Sequence, residues 1–308
     1  MNIVSDAVPP TDPYIVHGVE PGHPVVDAWS VKLLPFEPKG VDLEFKVALR
    51  QAILQLGAAP GDVLHAVYAS EVDSKADAEN ILFYNVGTSS FQPLTQFGLR
   101  FERAYVAPPT VRGVEHPYLH YHRYWLSARV DGFRHWDNGQ FVARFQAKAI
   151  ANVAELHAPS SIWYRVKRGE QQVKHGAATL DQGYGVSIAI RKPANSSLSL
   201  ASIVKPVLDG VISAFHTHNG TKLDDVSERL GTKLGIATAE ARRLLLDEQL
   251  NLLGPRNLVW PFSKGIQWNP ADDRCVAAEL LIGDTRTESG WELSGELFAV
   301  SRKTATFA

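Results

Sequence analysis

Residues 200 to 215 constrain the fold of this chain more than any other stretch of its sequence. Their apolar positions recur at offsets of 0, 3, 4, 7, 8, 11, 12 and 15 residues, which is the spacing of one broad helical stripe. The stripe consists of Leu200, Ile203, Val204, Val207, Leu208, Val211, Ile212 and Phe215. Ser199 or Ser202 can serve as the N-cap, and Pro206 is tolerable in the opening turn, because the backbone N–H groups there have no intrahelical acceptor. The stripe predicts a helix packed on the core, with Lys205 and Asp209 on its exposed side.

Helical and extended patterns alternate along the rest of the chain. Residues 41–57 have a broad apolar face that predicts a helix with Gly57 as its stop, and residues 141–157 also have apolar positions at helical spacing. Residues 97–136 alternate apolar and polar types and are rich in aromatic and β-branched side chains, and residues 183–193 continue this extended pattern. The sequence therefore predicts an α/β (or α+β) protein with a mixed sheet and packed helices.

The chain is long enough for two modest domains. We place their boundary near residue 170, which gives an N-terminal α/β region (1–170) and a C-terminal domain (171–308). A helical insertion at about 219–262 interrupts the second domain, because two amphipathic patterns follow one another there. Their spacing is similar to that of a helix-turn-helix, and a helical hairpin packed on the sheet explains the same leucines.

Composition and charge exclude several classes of protein. Cys275 is the only cysteine, so an intramolecular disulfide and a thiolate zinc cluster are both excluded. The formal net charge of −2 gives no bulk attraction to nucleic acid, although a local basic face is compatible with it. No apolar run approaches the roughly 20 residues that cross a bilayer, and the N-terminus does not have a signal-peptide pattern. We therefore expect a cytoplasmic protein with no membrane partner.

Three segments occur in an order that resembles a known family. They are GYGVSIAI at 183–190, IVKPVLDGV at 203–211 and WNPADDRCVAAELLI at 268–282. They resemble the strand, the Lys-Pro helix start and the later acidic strand of the RusA-type Holliday junction resolvases. The resemblance implies a RusA-like C-terminal domain, a nucleic-acid substrate and catalysis with Mg²⁺. It also implies that Lys205 is the active-site lysine and that Asp272 and Asp273 are catalytic, metal-binding carboxylates.

The chain departs from the pattern of that family at its two earlier aspartates. Ser199 and Ala201 stand in their places, and Ser202 replaces the following asparagine. A magnesium site for phosphodiester cleavage needs several carboxylate oxygens, and neither Ser nor Ala supplies one. A catalytically degenerate descendant is therefore as compatible with the sequence as an active enzyme.

The segment KADAENILFYNVG, residues 75 to 87, has the order that residues 199–202 lack. Asp77, Glu79 and Asn80 follow the acidic-x-acidic-Asn order, but Phe83 occupies the position of the lysine. The chain could contain two diverged copies of the family's unit, of which the first has lost the lysine and the second has lost the two aspartates. A site composed from both copies would use Asp77 and Glu79 as metal ligands. A solvated loop or a helix cap explains the same short acidic segment.

Two groups of basic residues are candidates for contact with phosphates. They are Arg165, Lys167, Arg168 and Lys174 in SIWYRVKRGEQQVKHG, and Arg242 and Arg243 in the helical insertion. Trp163 and Tyr164 beside the first group are suited to stacking on unpaired bases. A solvated hairpin and a packed helix pair are the alternative explanations.

A second candidate metal site consists of His216 and His218. On a strand these side chains share a face and could bind one ion, whereas on a helix they point about 200° apart. Three functions therefore remain open. The chain is a nucleic-acid-binding or Mg²⁺-dependent nucleic-acid-processing protein, a non-catalytic scaffold subunit, or a His-x-His metal hydrolase. The first function favours a homodimer and the second a larger protein assembly.

Overall fold

The computed structural model describes residues 12–72, 77–111, 117–174, 180, 183–285 and 290–304. Within these ranges ten strands form one continuous mixed sheet, and four short strands form two small sheets beside it. Helices pack against the large sheet, so the predicted class of a mixed sheet with packed helices is confirmed. None of the helices in the described ranges is long and apolar enough to cross a bilayer.

The strands and helices are named in chain order. The strands are β1 (Tyr14–His17), β2 (Val25–Ser30), β3 (Val63–Ala69), β4 (Gly98–Ala104), β5 (His120–Ser127), β6 (Trp136–Ile150), β7 (Glu170–Val173), β8 (Tyr184–Arg191), β9 (Thr217–His218), β10 (Pro255–Arg256), β11 (Val259–Phe262), β12 (Gly265–Trp268), β13 (Cys275–Ile282) and β14 (Trp291–Arg302). The helices are α1 (Val41–Ile53), α2 (Val153–Leu156), α3 (Pro159–Arg168), α4 (Leu200–Ala214), α5 (Leu223–Leu234) and α6 (Thr238–Leu245). A π-helical turn (Asn80–Tyr84) and three short 3-10 helices (Thr88–Leu94, Glu248–Leu250 and Asp272–Arg274) are the remaining helical elements of the described chain.

The arrangement of the large sheet is repeated about its centre, where β4 and β13 pair antiparallel. On one side, β3 is parallel to β4 and antiparallel to β5, β5 pairs with β2, and β2 pairs with β1. On the other side, β8 is parallel to β13 and antiparallel to β14, β14 pairs with β6, and β6 pairs with β7. Two copies of one unit would produce this arrangement. The duplication itself stays a prediction, because strand order describes the fold and not its ancestry.

The main core lies between the helices and one face of the sheet. Along β3, Leu64, Ala66 and Tyr68 belong to this core, while the alternate Val67 and Ala69 pack in a smaller cluster on the opposite face. Helix α4 lies in the middle of the main core, and its predicted apolar stripe is buried along its whole length. The helix predicted from the stripe is confirmed. It begins at Leu200, so Pro206 lies inside the helix and the prediction that it falls in the opening turn is wrong.

The structure corrects the prediction of a helix over residues 141–157. Strand β6 continues to Ile150 and pairs with β14 on one side and with β7 on the other. Ala143, Phe145 and Ala147 are buried at every second position, so the segment satisfies the period of a strand as well as that of a helix. The segment forms a strand because it is hydrogen-bonded to a neighbouring strand on each side. Because β6 and α3 precede residue 170, the second half of the sheet begins earlier in the chain than the predicted domain boundary.

Candidate functional site

Four carboxylates surround the ammonium group of Lys205, and we call this cluster the carboxylate cage. The distances from Lys205 Nζ to the nearest carboxylate oxygens are 3.1 Å for Glu79, 3.1 Å for Asp272, 3.2 Å for Asp209 and 3.5 Å for Asp77. The side chain of Glu79 is 1% exposed and that of Lys205 is 27% exposed, so the cage has a buried floor and an open side.

The cage joins the two halves of the sheet. Asp77 and Glu79 follow β3 in the first half, and Asn80 Nδ2 donates a 2.7 Å hydrogen bond to Asp77 Oδ2 that holds the carboxylate in place. Lys205 lies near the start of α4, and Asp272 lies in the turn before β13, both in the second half. Because β3 and β13 run in opposite directions, the C-terminal end of β3 and the N-terminal end of β13 lie at the same end of the strands, near the centre of the sheet.

Burial governs the ionisation of the cage. It is the main cause that raises the pKa of Glu79 to about 8, opposed by Lys205 and reinforced by Asp272. Burial likewise raises the pKa of Asp209 to about 7 and that of Asp77 to about 6. Burial alone would lower the pKa of Lys205, but Glu79 and the other carboxylates outweigh it and raise that pKa above its ordinary value. Among the described residues, the cage therefore combines one ammonium group with an excess of carboxylates.

The structure brings four of the predicted site residues together and separates a fifth. Lys205, Asp77, Glu79 and Asp272 all belong to the cage, which makes the composite arrangement of the two acidic segments an observed feature. Asp273 lines the same cavity but is not among the carboxylates that contact Lys205.

Sequence reasoning missed Asp209 as a member of the cage. The signal was its position four residues after Lys205 on one helical face, a pair that we had expected on the exposed side of α4. The pair is instead directed to the junction of the two halves of the sheet. Asp209 is therefore a fourth carboxylate of the cage, and it lies within the IVKPVLDGV segment that carries the resemblance, although no role was assigned to it there.

A neutral counterpart of the cage lies at the equivalent junction of the two halves. Thr95 lies three residues before β4, as Asp272 lies three residues before β13. Thr95 Oγ1 accepts a 3.3 Å hydrogen bond from the backbone N–H of Ala201 and lies 3.3 Å from Ser199 Oγ. Ser199 and Ala201 are the residues that replace the two expected aspartates. The chain therefore has one charged and one neutral junction between its halves.

A cavity of about 700 Å³ opens in front of the cage. The cavity is also lined by the β11–β12 hairpin, which contributes Trp260 and Phe262, and by the basic residues Lys233 and Arg256. Sequence reasoning did not identify any of these four residues. A volume of this size is typical of pockets that bind small molecules or a single residue of a polymer.

The predicted phosphate-contacting residues lie outside this cavity, and most are paired within the chain. Their partners are Glu155 for Arg165, Asp247 for Lys167, Glu240 for Arg168, Asp224 for Arg242 and Gln140 for Lys174. Arg243 is exposed and lines a separate cavity with Lys167 and Arg168. Arg168 thereby links α3 to α6, and Arg242 links α6 to α5. The predicted contact of these basic residues with nucleic acid stays a prediction.

His216 and His218 use both ring nitrogens in contacts with the backbone. His216 Nδ1 is 2.8 Å from Gly254 O, and its Nε2 accepts from Ala271 N–H at 3.2 Å. His218 Nε2 is 2.9 Å from Val259 O, and its Nδ1 accepts from Gly220 N–H at 2.9 Å. A metal ligand needs a free nitrogen lone pair. These contacts leave none, so they do not support the His-x-His hydrolase.

Three members of the cage fit a divalent cation by chemistry and by spacing. Oxygens of Asp77, Glu79 and Asp272 all lie within 4.8 Å of one another. Two ligands of one ion are at most two bond lengths apart, about 4.2 Å for Mg²⁺ and about 5 Å for Ca²⁺. The spacing therefore suits a hard divalent cation without selecting Mg²⁺. The same oxygens bind the ammonium of Lys205, so the lysine and a cation would compete for them.

No family model matches this chain, and no curated protein matches it. Membership of the RusA-type resolvases accordingly stays a prediction that rests on the sequence motifs alone.

Proposed function

We propose that the protein cleaves phosphodiester bonds of nucleic acid with the help of a divalent cation bound in the carboxylate cage. The observation that supports this most is the convergence of Asp77 and Glu79 from one half of the sheet with Asp272 from the other. Separate segments whose carboxylates meet within bonding distance of one ion are typical of metal-dependent phosphoryl-transfer sites.

Each member of the cage has a distinct role in this proposal. Asp77, Glu79 and Asp272 would hold the cation, which supplies Lewis-acid activation of water and neutralises phosphate charge when bound. Lys205 remains protonated and stabilises the charge that develops on the phosphate oxygens. Asp209 accepts a hydrogen bond from Lys205 and is not one of the three proposed metal ligands. It therefore keeps the ammonium in the site when the other carboxylates bind the ion.

A cleavage assay tests the proposal with a matched pair of variants. Labelled four-way junction, duplex and single-stranded DNA are incubated with the protein in Mg²⁺, in Mn²⁺ and in EDTA. We expect cation-dependent cutting that Asp272→Asn reduces by about a hundredfold or more, because the variant loses a proposed ligand. Asp273→Asn, one residue along and outside the cage, should retain most activity. Absence of cutting by the wild type under all conditions, or equal loss in the two variants, would contradict the proposal.

A non-catalytic scaffold subunit is the second candidate, and the position of Lys205 favours it. The ammonium contacts all four carboxylates, and a built-in cation of this kind fits a site that has lost its metal. This candidate predicts that the wild type binds no divalent cation, whereas Lys205→Ala does. Stoichiometric cation binding by the wild type would exclude it.

A further inference from the structure

The β11–β12 hairpin contributes an aromatic part to the lining of the cavity that members of the cage also line. Trp260 and Phe262 both line the cavity, and Phe262 is 62% exposed. In the hairpin register Trp260 lies opposite Gln267 and Phe262 lies opposite Gly265, so both aromatic residues are on one face. We call these two residues the aromatic wall.

The spacing of the aromatic wall suits planar rings. Two residues of a strand on the same face are about 7 Å apart along the chain. This is about twice the 3.4 Å separation of stacked bases. A face of the wall can therefore receive one base on each ring or one base between the two rings.

Contacts on both sides of the hairpin hold the aromatic wall in place. Trp260 Nε1 donates a 3.2 Å hydrogen bond to Gln267 Oε1 across the two strands. Arg229 of α5 donates to the carbonyl oxygens of Ser263 and Gly265 at 2.8 and 3.1 Å, which fixes the turn of the hairpin. The wall is therefore preorganised, and stacking on it requires little ordering of the protein.

Two cations beside the aromatic wall have no acidic partner among the described residues. Lys233, in the last turn of α5, and Arg256, before β11, both line the cavity. The Nε atom of Arg256 is buried and has no hydrogen-bond partner within the described chain. Cationic side chains next to partly exposed aromatic side chains form the combination that binds the backbone and bases of unpaired nucleic acid.

We propose that the aromatic wall binds unpaired bases and leads a single strand of nucleic acid into the cage. The bases stack on Trp260 and Phe262, and Lys233 and Arg256 contact the adjoining phosphates. Paired bases present only their edges in the grooves, so the exposed rings select unpaired segments over a continuous duplex. The inference rests on the proposed function, because it names the part of the substrate that this site takes.

Binding measurements on variants of the wall test the inference. Fluorescence anisotropy compares a short labelled single strand with the corresponding duplex, in Ca²⁺ and in EDTA. We expect the wild type to bind the single strand more tightly, and Trp260→Ala or Phe262→Ala to weaken that binding on the order of tenfold each, with little change for the duplex. Phe36→Ala is the matched control, since Phe36 is 66% exposed and does not line the cavity. Trp260→Phe should restore most of the binding.

The outcomes separate this inference from the proposed function. Loss of single-strand preference in the wall variants alone supports the inference. Equal binding of single strand and duplex, unchanged in Trp260→Ala and Phe262→Ala, overturns the wall as a base-binding surface and leaves the cage proposal standing. Failure of the wild type to bind any nucleic acid, with or without cation, overturns both.

Discussion

At the scale of single residues, Lys205 determines the character of the site. A lysine with one carboxylate partner on a helix surface contributes little to stability. This ammonium is, among the described residues, the only positive charge inside a cluster of four carboxylates. Its removal would leave the carboxylates of the cage facing one another. The lysine therefore stabilises the junction between the halves of the sheet, whatever its part in chemistry.

Lys205→Ala should lower the free energy of unfolding by about 2–4 kcal/mol at pH 8, because it leaves buried carboxylates uncompensated. A millimolar concentration of Mn²⁺ or Ca²⁺ should restore most of the loss, since the vacated oxygens bind the cation. Chemical denaturation with and without the cation measures both effects. Lys233→Ala removes a lysine of the same cavity that has no acidic partner in the described part of the chain, and it should change stability by less than about 0.5 kcal/mol. A loss in Lys205→Ala that no cation relieves would contradict this account of the cage.

At the scale of elements, the position of α4 depends on its close approach to α3. Gly210 allows this approach, because a Cβ added there would lie 2.6 Å from Ile162 Cβ and 2.8 Å from Pro159 O. The neighbouring Asp209 is a member of the cage, so the packing of the two helices also fixes the cage. Stability and site geometry are coupled at this contact.

Gly210→Ala should destabilise the protein by about 1–3 kcal/mol, although the same change in an open helix stabilises by about 1 kcal/mol. The added methyl group forces α3 and α4 apart, and this outweighs the gain in helix propensity. Gly57→Ala is the matched control, because a Cβ at Gly57 meets no atom within 4 Å. Thermal or urea unfolding of the two variants distinguishes the effects. An increase in stability for Gly210→Ala would show that the helices have room to separate.

At the scale of the whole molecule, the sequence predicted the parts of the site better than their arrangement. The stripe of α4 predicted a buried helix because a period of 3.6 survives in local sequence. The sequence of β6 predicts a helix because its apolar positions satisfy the helical period as well as that of a strand, and the strands that pair with it are distant in sequence. Asp77 and Asp272 were both candidates on local order. Their contact with one lysine depends on the antiparallel pairing of β4 with β13, which no local pattern predicts.

The central claim is that residues from both halves of the sheet form one cation site. Isothermal titration calorimetry with Mn²⁺ on the wild type, Asp77→Asn, Asp272→Asn and Asp273→Asn tests it most directly. We expect one bound cation per chain in the wild type and in Asp273→Asn, and loss of binding in both Asp77→Asn and Asp272→Asn. Absence of binding in the wild type, or binding that survives removal of either half's carboxylate, would contradict it.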